Sequence, residues 1–155
     1  MARKRIPSGF FVYVVVEHEG HVLLVRETKH GQLWYAPAGG IEPGETIREA
    51  AIRETMEEAG VLVEPVDIIR IDQEWHPGEG GLTSWWRFIV RARVVGSITP
   101  KRYPDHHTLE ARWVRPDRIA EYPLRHREVH ELVALAERAP PALPISGLPP
   151  VARSA

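Results

Sequence analysis

The sequence predicts an α/β fold, a mixed β-sheet sandwiched between helices, and three observations predict it. Runs rich in β-branched and aromatic residues at 10–17, 21–26, 66–75, 82–95 and 110–114 read as strands. A well-capped helix at 47–59 lies among them, and an amphipathic segment at 125–139 closes the chain. The first strand run, FFVYVVVE, is apolar almost without a break, as in a strand buried on both faces.

In chain order, Glu19-Gly20 makes a turn after the first run, and 21–26 returns as the second strand of a hairpin. Residues 29–32 are a polar loop with Gly31 as its turn residue. Leu33-Trp34-Tyr35-Ala36 is a short strand leading into the turn-rich stretch PAGGIEPGE, whose glycines let backbone approach a bound ion or phosphate. Thr46 with Glu49 forms a capping box and Gly60 suits a left-handed helix end, which bounds the helix at 47–59. Ile52, Met56 and Ala59 are its expected sheet-facing side. Beyond it, a strand broken near Pro65 resumes over 66–75, 76–81 is a plain glycine-rich loop, and 82–95 completes a second hairpin. Residues 96–108 are polar and irregular, and 110–114 is the final strand expected. Pro116 suits the first turn of a short helix ending before Pro123. In the segment 125–139, Val129, Leu132, Val133, Leu135 and Ala136 form the apolar side. Five prolines in 140–155 mark an extended or disordered tail beyond a domain of residues 1–139, one whose removal should change little.

A chain of 155 residues is one domain with room for a core, and 43% hydrophobic with 26% charged residues is ordinary for a globular protein. A formal charge of −1 gives no bulk attraction to nucleic acid or to an anionic membrane. Without cysteine there is no disulfide framework and no thiol chemistry. No apolar run approaches the roughly 20 residues that a membrane helix needs. The basic start MARKRIPSGF lacks a signal peptide's apolar segment, so the cytoplasm is the expected compartment.

The chemistry concentrates in GGIEPGETIREAAIRETMEEAGV, residues 39–61. Glu54, Glu57 and Glu58 share one helix face, repel one another at i,i+4, and sit at the end where the helix dipole disfavours negative charge. Local rules broken this densely mark a functional site, and carboxylate oxygens suit a hard cation, Mg²⁺ or Mn²⁺.

Gly39, Glu45, Arg53-Glu54, Glu57-Glu58 and Gly60-Val61 stand at the spacing Gly-x5-Glu-x7-Arg-Glu-U-x-Glu-Glu-x-Gly-U, where U is bulky and aliphatic. The pattern resembles the signature of the Nudix hydrolases, with Thr55 the one departure, at an aliphatic position. The resemblance implies a Nudix-type α/β/α sandwich in which Glu54, Glu57, Glu58 and the Gly39 carbonyl bind Mg²⁺, while Arg53 and Glu45 pair to hold the loop on the helix. It also implies hydrolysis of the diphosphate linkage in a nucleoside diphosphate derivative, with a nucleoside monophosphate as one product. Pro37-Ala38-Gly39 resembles the loop of the family's ADP-ribose pyrophosphatases, whereas the compact length resembles members that clean non-standard nucleoside di- and triphosphates. The alternative is a Nudix-fold sensor module that holds a nucleotide without cutting it. The sequence leaves a homodimer open.

Other residues admit two readings. Trp34, Tyr35, Trp75, Trp85 and Trp86 suit base stacking or simple packing, and alternation puts Trp85 and Trp86 on opposite faces of the sheet. His126 and His130 have metal-ligand spacing but lack the zinc-protease pattern. His76, His106 and His107 lie in loops that can border the site. Nudix enzymes often recruit a further carboxylate from outside the signature, for which Glu110 and, less strongly, Glu74 are candidates.

Overall fold

The N-terminal apolar run sets the architecture. In a computed structural model of the chain, which describes residues 6–138 and 143–145, it forms β1 (Ser8–His18), with Val12 to Val16 buried on both faces. Strand geometry sends successive side chains to opposite sides. Tyr13 and Val15 join one core and Val12, Val14 and Val16 another. β2 (His21–Glu27) divides likewise, Val22 and Leu24 from Leu23 and Val25.

β3 (Trp34–Tyr35), β4 (Ala38–Gly40), β5 (Val63–Gly78), β6 (Gly81–Val94), β7 (Thr108–Val114) and β8 (Leu143–Pro144) complete the described strands. The sheet order is β3-β2-β1-β6-β5-β8, with β4 pairing β1 and β7 pairing β2. β1 and β6 run parallel, from Ser8 beside Ser84 to Glu17 beside Arg93, and the remaining pairs are antiparallel. The sheet is therefore mixed, as expected. Helix α1 (Ile47–Ala59) covers one face through Ala50, Ala51 and Ala59, and α2 (Glu128–Arg138) covers the other through Val129, Leu132, Val133 and Ala136. Each fully buried valine or leucine contributes about 1.5–3 kcal/mol, so the two cores hold the sandwich together.

The bounds of α1 are those the capping signals predict. The Thr46 hydroxyl accepts from the Glu49 backbone N–H, the Glu49 carboxylate accepts from the Thr46 backbone N–H, and Gly60 closes the helix at φ 69°. Its packing face agrees at Ala59, which is buried, and at Ile52, which packs against the core, but differs at Met56. Met56 is 42% exposed, while the buried side carries Ala50, Ala51, Glu54, Thr55 and Ala59. Small side chains let the helix lie close to the sheet, which turns Glu54 inward and rolls Met56 out. The Thr55 hydroxyl, at the position where an aliphatic residue was expected, is fully buried and donates to the Ala51 carbonyl at 2.8 Å.

Three further expectations change. The second hairpin is continuous: β5 passes through Pro65 with a register shift between Pro65 and Asp67, because a bulge absorbs the missing N–H. The stretch 76–81 is not a plain loop, since strand pairing continues to Gly78 opposite Gly81 and leaves a two-residue turn. α2 starts at Glu128 instead of 125, because the chain is still extended at Leu124-Arg125, where the Arg125 N–H donates to the Trp34 carbonyl at 2.9 Å.

Within the proline-rich segment, Leu143–Pro144 pairs with Asp67 and Ile68 of β5, and Ile145 packs on the core beneath α1. The remaining residues of 140–155 lie outside the described residues. Truncation after Ala139 is therefore expected to lower the melting temperature by about 2–4 °C, the equivalent of roughly 1 kcal/mol in a domain of this size. An unchanged melting curve would show that β8 adds nothing to the fold.

Candidate active site

β4 carries the glycine-rich stretch directly against α1. A Cβ placed on Gly39 would lie 2.0 Å from Glu54 Oε1 and 2.5 Å from Oε2, so only glycine leaves room for the carboxylate. Beside it, the Ala38 N–H donates to Glu58 Oε2 at 2.9 Å. Arg53 ties loop to helix, as the resemblance implies. Its Nε and Nη2 donate to Glu45 at 2.8 and 2.9 Å, and Nη2 also reaches the Gly40 carbonyl at 2.8 Å. Its Nη1 meets Glu54 at 2.6 Å and Glu57 at 3.4 Å.

The unfavourable helix end has its own counter-charge. The Lys101 ammonium, buried by the irregular 95–107 connection, donates to the Glu57 carbonyl at 2.7 Å and to Asp105 at 2.6 Å. The Lys101 backbone N–H donates to the Ala59 carbonyl at 2.8 Å, and the Thr108 hydroxyl to the Glu58 carbonyl at 2.7 Å. These donors satisfy the orphan carbonyls of the last turn and oppose the negative end of the dipole.

Burial raises both inner carboxylates above the ordinary glutamate range. Glu58 is pushed up to about 8 by burial and by the charges of Glu54 and Glu27, against the Ala38 N–H and Lys101, which lower it. Glu54 is also raised by burial, which outweighs the lowering effect of Arg53. Glu45 goes the other way, held down by its bonds from Arg53. Arg53 serves Glu54, but no cationic side chain among the described residues bonds the Glu58 carboxylate, and oxygen donors of this kind suit a hard divalent cation. In the arrangement seen, no three carboxylates or histidines among the described residues converge on one point. Arg53 draws Glu54 and Glu57 towards itself instead.

Ala38, Gly39 and Gly40 also wall a cavity of about 350 Å³. Its far wall is rigid. Arg87 donates to both oxygens of Glu128 at 2.6 and 2.8 Å and to Asp72 at 2.8 Å, and the Tyr35 hydroxyl donates to Glu128 at 2.8 Å. Burial opposes ionisation of Asp72 and Glu128, yet the guanidinium bonds of Arg87 hold both below the usual carboxylate range. Its lip is aromatic. Trp85, 42% exposed, packs against Phe11 at 4.9 Å and His76 at 4.2 Å between ring centroids.

The structure sorts the remaining candidates. Trp34 is core, Trp75 is exposed away from the cavity, and Trp86 does not line it, so Trp85 and Tyr35 are the aromatic candidates that reach it. Glu74 and His76 bond each other at 3.2 Å on its wall. Glu110 is taken up by Arg112 at 2.8 Å and Arg26 at 3.7 Å and lines a separate groove. His106 and His107 stack on each other, and their carbonyls accept from the Thr28 hydroxyl. His126 and His130 are exposed and form no metal cluster among the described residues. Sequence reasoning missed Glu27, Lys101 and Arg125. Alternation after Leu23 and Val25 would have sent Glu27 to the α1 face. Lys101 and Arg125 sit in irregular stretches with no periodic signal.

The family model of the NUDIX domain matches residues 6–133. The chain is 37% identical over 128 residues to mouse "8-oxo-dGDP phosphatase NUDT18", covering 81% of this chain and 37% of that protein. It therefore spans well under half the length of that relative. It is 38% identical over 111 residues to "Phosphatase NudJ" of Escherichia coli, covering 71% of this chain and 70% of that one. Among solved structures, a "NUDIX hydrolase from Nitrosomonas europaea" superposes with TM-score 0.72 at 30% identity, covering 89% of this chain and 93% of that chain.

The position of Glu58 predicts a pH signature. Its folded carboxyl keeps a proton that the unfolded chain, at the ordinary value of 4.5, has already lost. The stability it contributes is thus complete below that ordinary value and is lost as pH rises towards about 8. In chelator, stability should fall by a few kcal/mol across this window, at about 1.4 kcal/mol for each pH unit crossed, and Glu58→Gln should flatten the fall. Equal slopes for the two proteins in denaturant titrations would show that Glu58 is not buried as described.

Proposed function

The chain belongs to the Nudix family, and on that premise we propose that it hydrolyses the diphosphate linkage of a nucleoside diphosphate derivative, using Mg²⁺ or Mn²⁺. The observation that carries this reading is the shared wall. Ala38 and Gly39 touch the buried glutamates on one side and the aromatic-lipped cavity on the other. A nucleotide with its base against Trp85 would present its diphosphate to the acidic helix, since any base offers a face for stacking.

The family generally uses divalent metal ions. Glu54, Glu57, Glu58 and the Gly39 carbonyl would hold the cation, and Glu57, 40% exposed and only loosely bonded to Arg53, has freedom to turn towards it. When bound, the cation neutralises the diphosphate and lowers the pKa of an attacking water. Arg53 and Glu45 keep the glycine loop at a fixed distance from the helix, which preserves the geometry needed for attack. Water adds to one phosphorus, the bridging P–O bond breaks, and a nucleoside monophosphate leaves with a second phosphate-bearing fragment. No covalent intermediate with the protein is required.

The mouse relative's name specifies an oxidised nucleoside diphosphate, and the E. coli relative's name specifies a phosphatase. The first supports nucleoside diphosphates as the substrate class, and the second supports phosphate release as the reaction. The test is a panel of nucleoside di- and triphosphates, oxidised forms and ADP-ribose, assayed for phosphate release with and without Mg²⁺. Turnover of a nucleoside diphosphate is expected. Glu57→Gln and Glu58→Gln should each lower its rate at least a hundredfold, because a bound cation's charge stabilisation is worth several kcal/mol at about 1.4 kcal/mol per tenfold. Cleavage of a non-nucleotide diphosphate alone, or both variants within tenfold of the parent rate, would contradict the reading.

A further inference from the structure

Two arginines line the cavity, and the fold uses them differently. Arg87 is bonded to both Glu128 and Asp72 and so belongs to the rigid wall. Arg125 has one ion pair among the described residues, from Nη1 to Glu27 Oε1 at 2.7 Å, and its guanidinium lies over the Tyr35 ring at 5.1 Å. A guanidinium carries five N–H donors in a planar fork, so most of this one is uncommitted. Its side chain is 37% exposed on the cavity wall. The backbone behind it is fixed, since the Arg125 N–H donates to the Trp34 carbonyl and Leu124 bridges to Trp34.

Its partner is as informative. Glu27 is 13% exposed, and its Oε2 is buried with no hydrogen-bond partner among the described residues. A carboxylate with an unsatisfied buried oxygen normally costs stability. Its charge is also felt at Glu58, so it stands close to the acidic helix. The ion pair thus ties the cavity wall to a buried carboxylate, with Arg125 masking a negative charge that would repel an incoming diphosphate.

We propose that Arg125 recognises a phosphoryl group of the substrate, with Glu27 as the positioning residue that keeps its fork turned to the cavity. The proposal rests on the nucleoside diphosphate reading above. Planar, bidentate donation to phosphate oxygens is what arginine does better than lysine. The stacked, singly paired state of Arg125 keeps that geometry ready at low entropic cost.

The experiment has a kinetic arm and a binding arm. KM and kcat are measured on the nucleoside diphosphate that the parent cleaves, for the parent, Arg125→Gln and Arg125→Lys. Calorimetry in Mg²⁺ follows binding of inorganic pyrophosphate and of an uncharged nucleoside. Arg125→Gln should raise KM and weaken pyrophosphate binding by about tenfold or more, the scale of one lost charge-assisted hydrogen bond. Its kcat should change by less than about threefold, as for lost uniform binding. Arg125→Lys should recover part of the affinity, and nucleoside binding should be the same in all three. If Arg125→Gln melts early because Glu27 is stranded, the double variant Glu27→Gln/Arg125→Gln removes that charge and is measured in its place. Pyrophosphate affinity equal in parent and variant, or nucleoside affinity falling in parallel, overturns the proposal. A parent that binds pyrophosphate through Arg125 but cleaves no nucleotide leaves this inference standing and sinks the functional reading instead.

Discussion

The guanidinium of Arg53 is the contact on which the site depends. It joins Glu45 and the Gly40 carbonyl of the approach loop to Glu54 and Glu57 of the helix. Through that junction Gly39 is held where the Glu54 carboxylate fills the space of a missing side chain. Charge-assisted, partly bidentate bonds of this type carry geometric specificity as well as energy. Lys101 complements it from the other end of the helix, where an ammonium against the Glu57 carbonyl offsets the dipole. Between these two cations, α1 tolerates glutamates that an isolated helix would expel.

Much of this was legible in the sequence where the signals are local. The capping box at Thr46 and Glu49 and the left-handed Gly60 depend on neighbours a few residues apart, and both appear as read. The packing face of α1 was legible only in part: Ala59 is buried and Ile52 packs against the core as read, whereas the close fit to the sheet favoured Ala50 and Ala51 over Met56. Pro65 was read as a break, since a bulge that accommodates proline depends on the partner strand. Leu143–Pro144 pairs with a strand far earlier in the chain, beyond any local pattern. Glu27 and Arg125 are 98 positions apart and meet because β2 and the segment before α2 both border β3.

The same sheet explains how rigidity and access coexist. One side of the cavity is fastened by Arg87, Glu128, Asp72 and Tyr35, whose bonds fix rotamers and lower the cost of ordering on binding. The other side is the exposed Trp85 with His76, carried on the far end of the second hairpin. Strand β4 lies between this cavity and the glutamates, with Gly39 lining the one and abutting Glu54 on the other side.

Central to the proposed function is a cation held by the buried Glu54 and Glu58, taking the place of the proton that burial otherwise keeps on Glu58. The most direct measurement is the melting temperature near pH 8 as Mg²⁺ or Mn²⁺ is added to the chelated protein, for the parent and for Glu54→Gln/Glu58→Gln. A cation that binds the folded chain alone stabilises it by mass action, so the parent's melting temperature should climb with metal concentration while the double variant's stays flat. A parent that melts at the same temperature with and without millimolar metal, or a double variant that gains as much as the parent, would contradict the account.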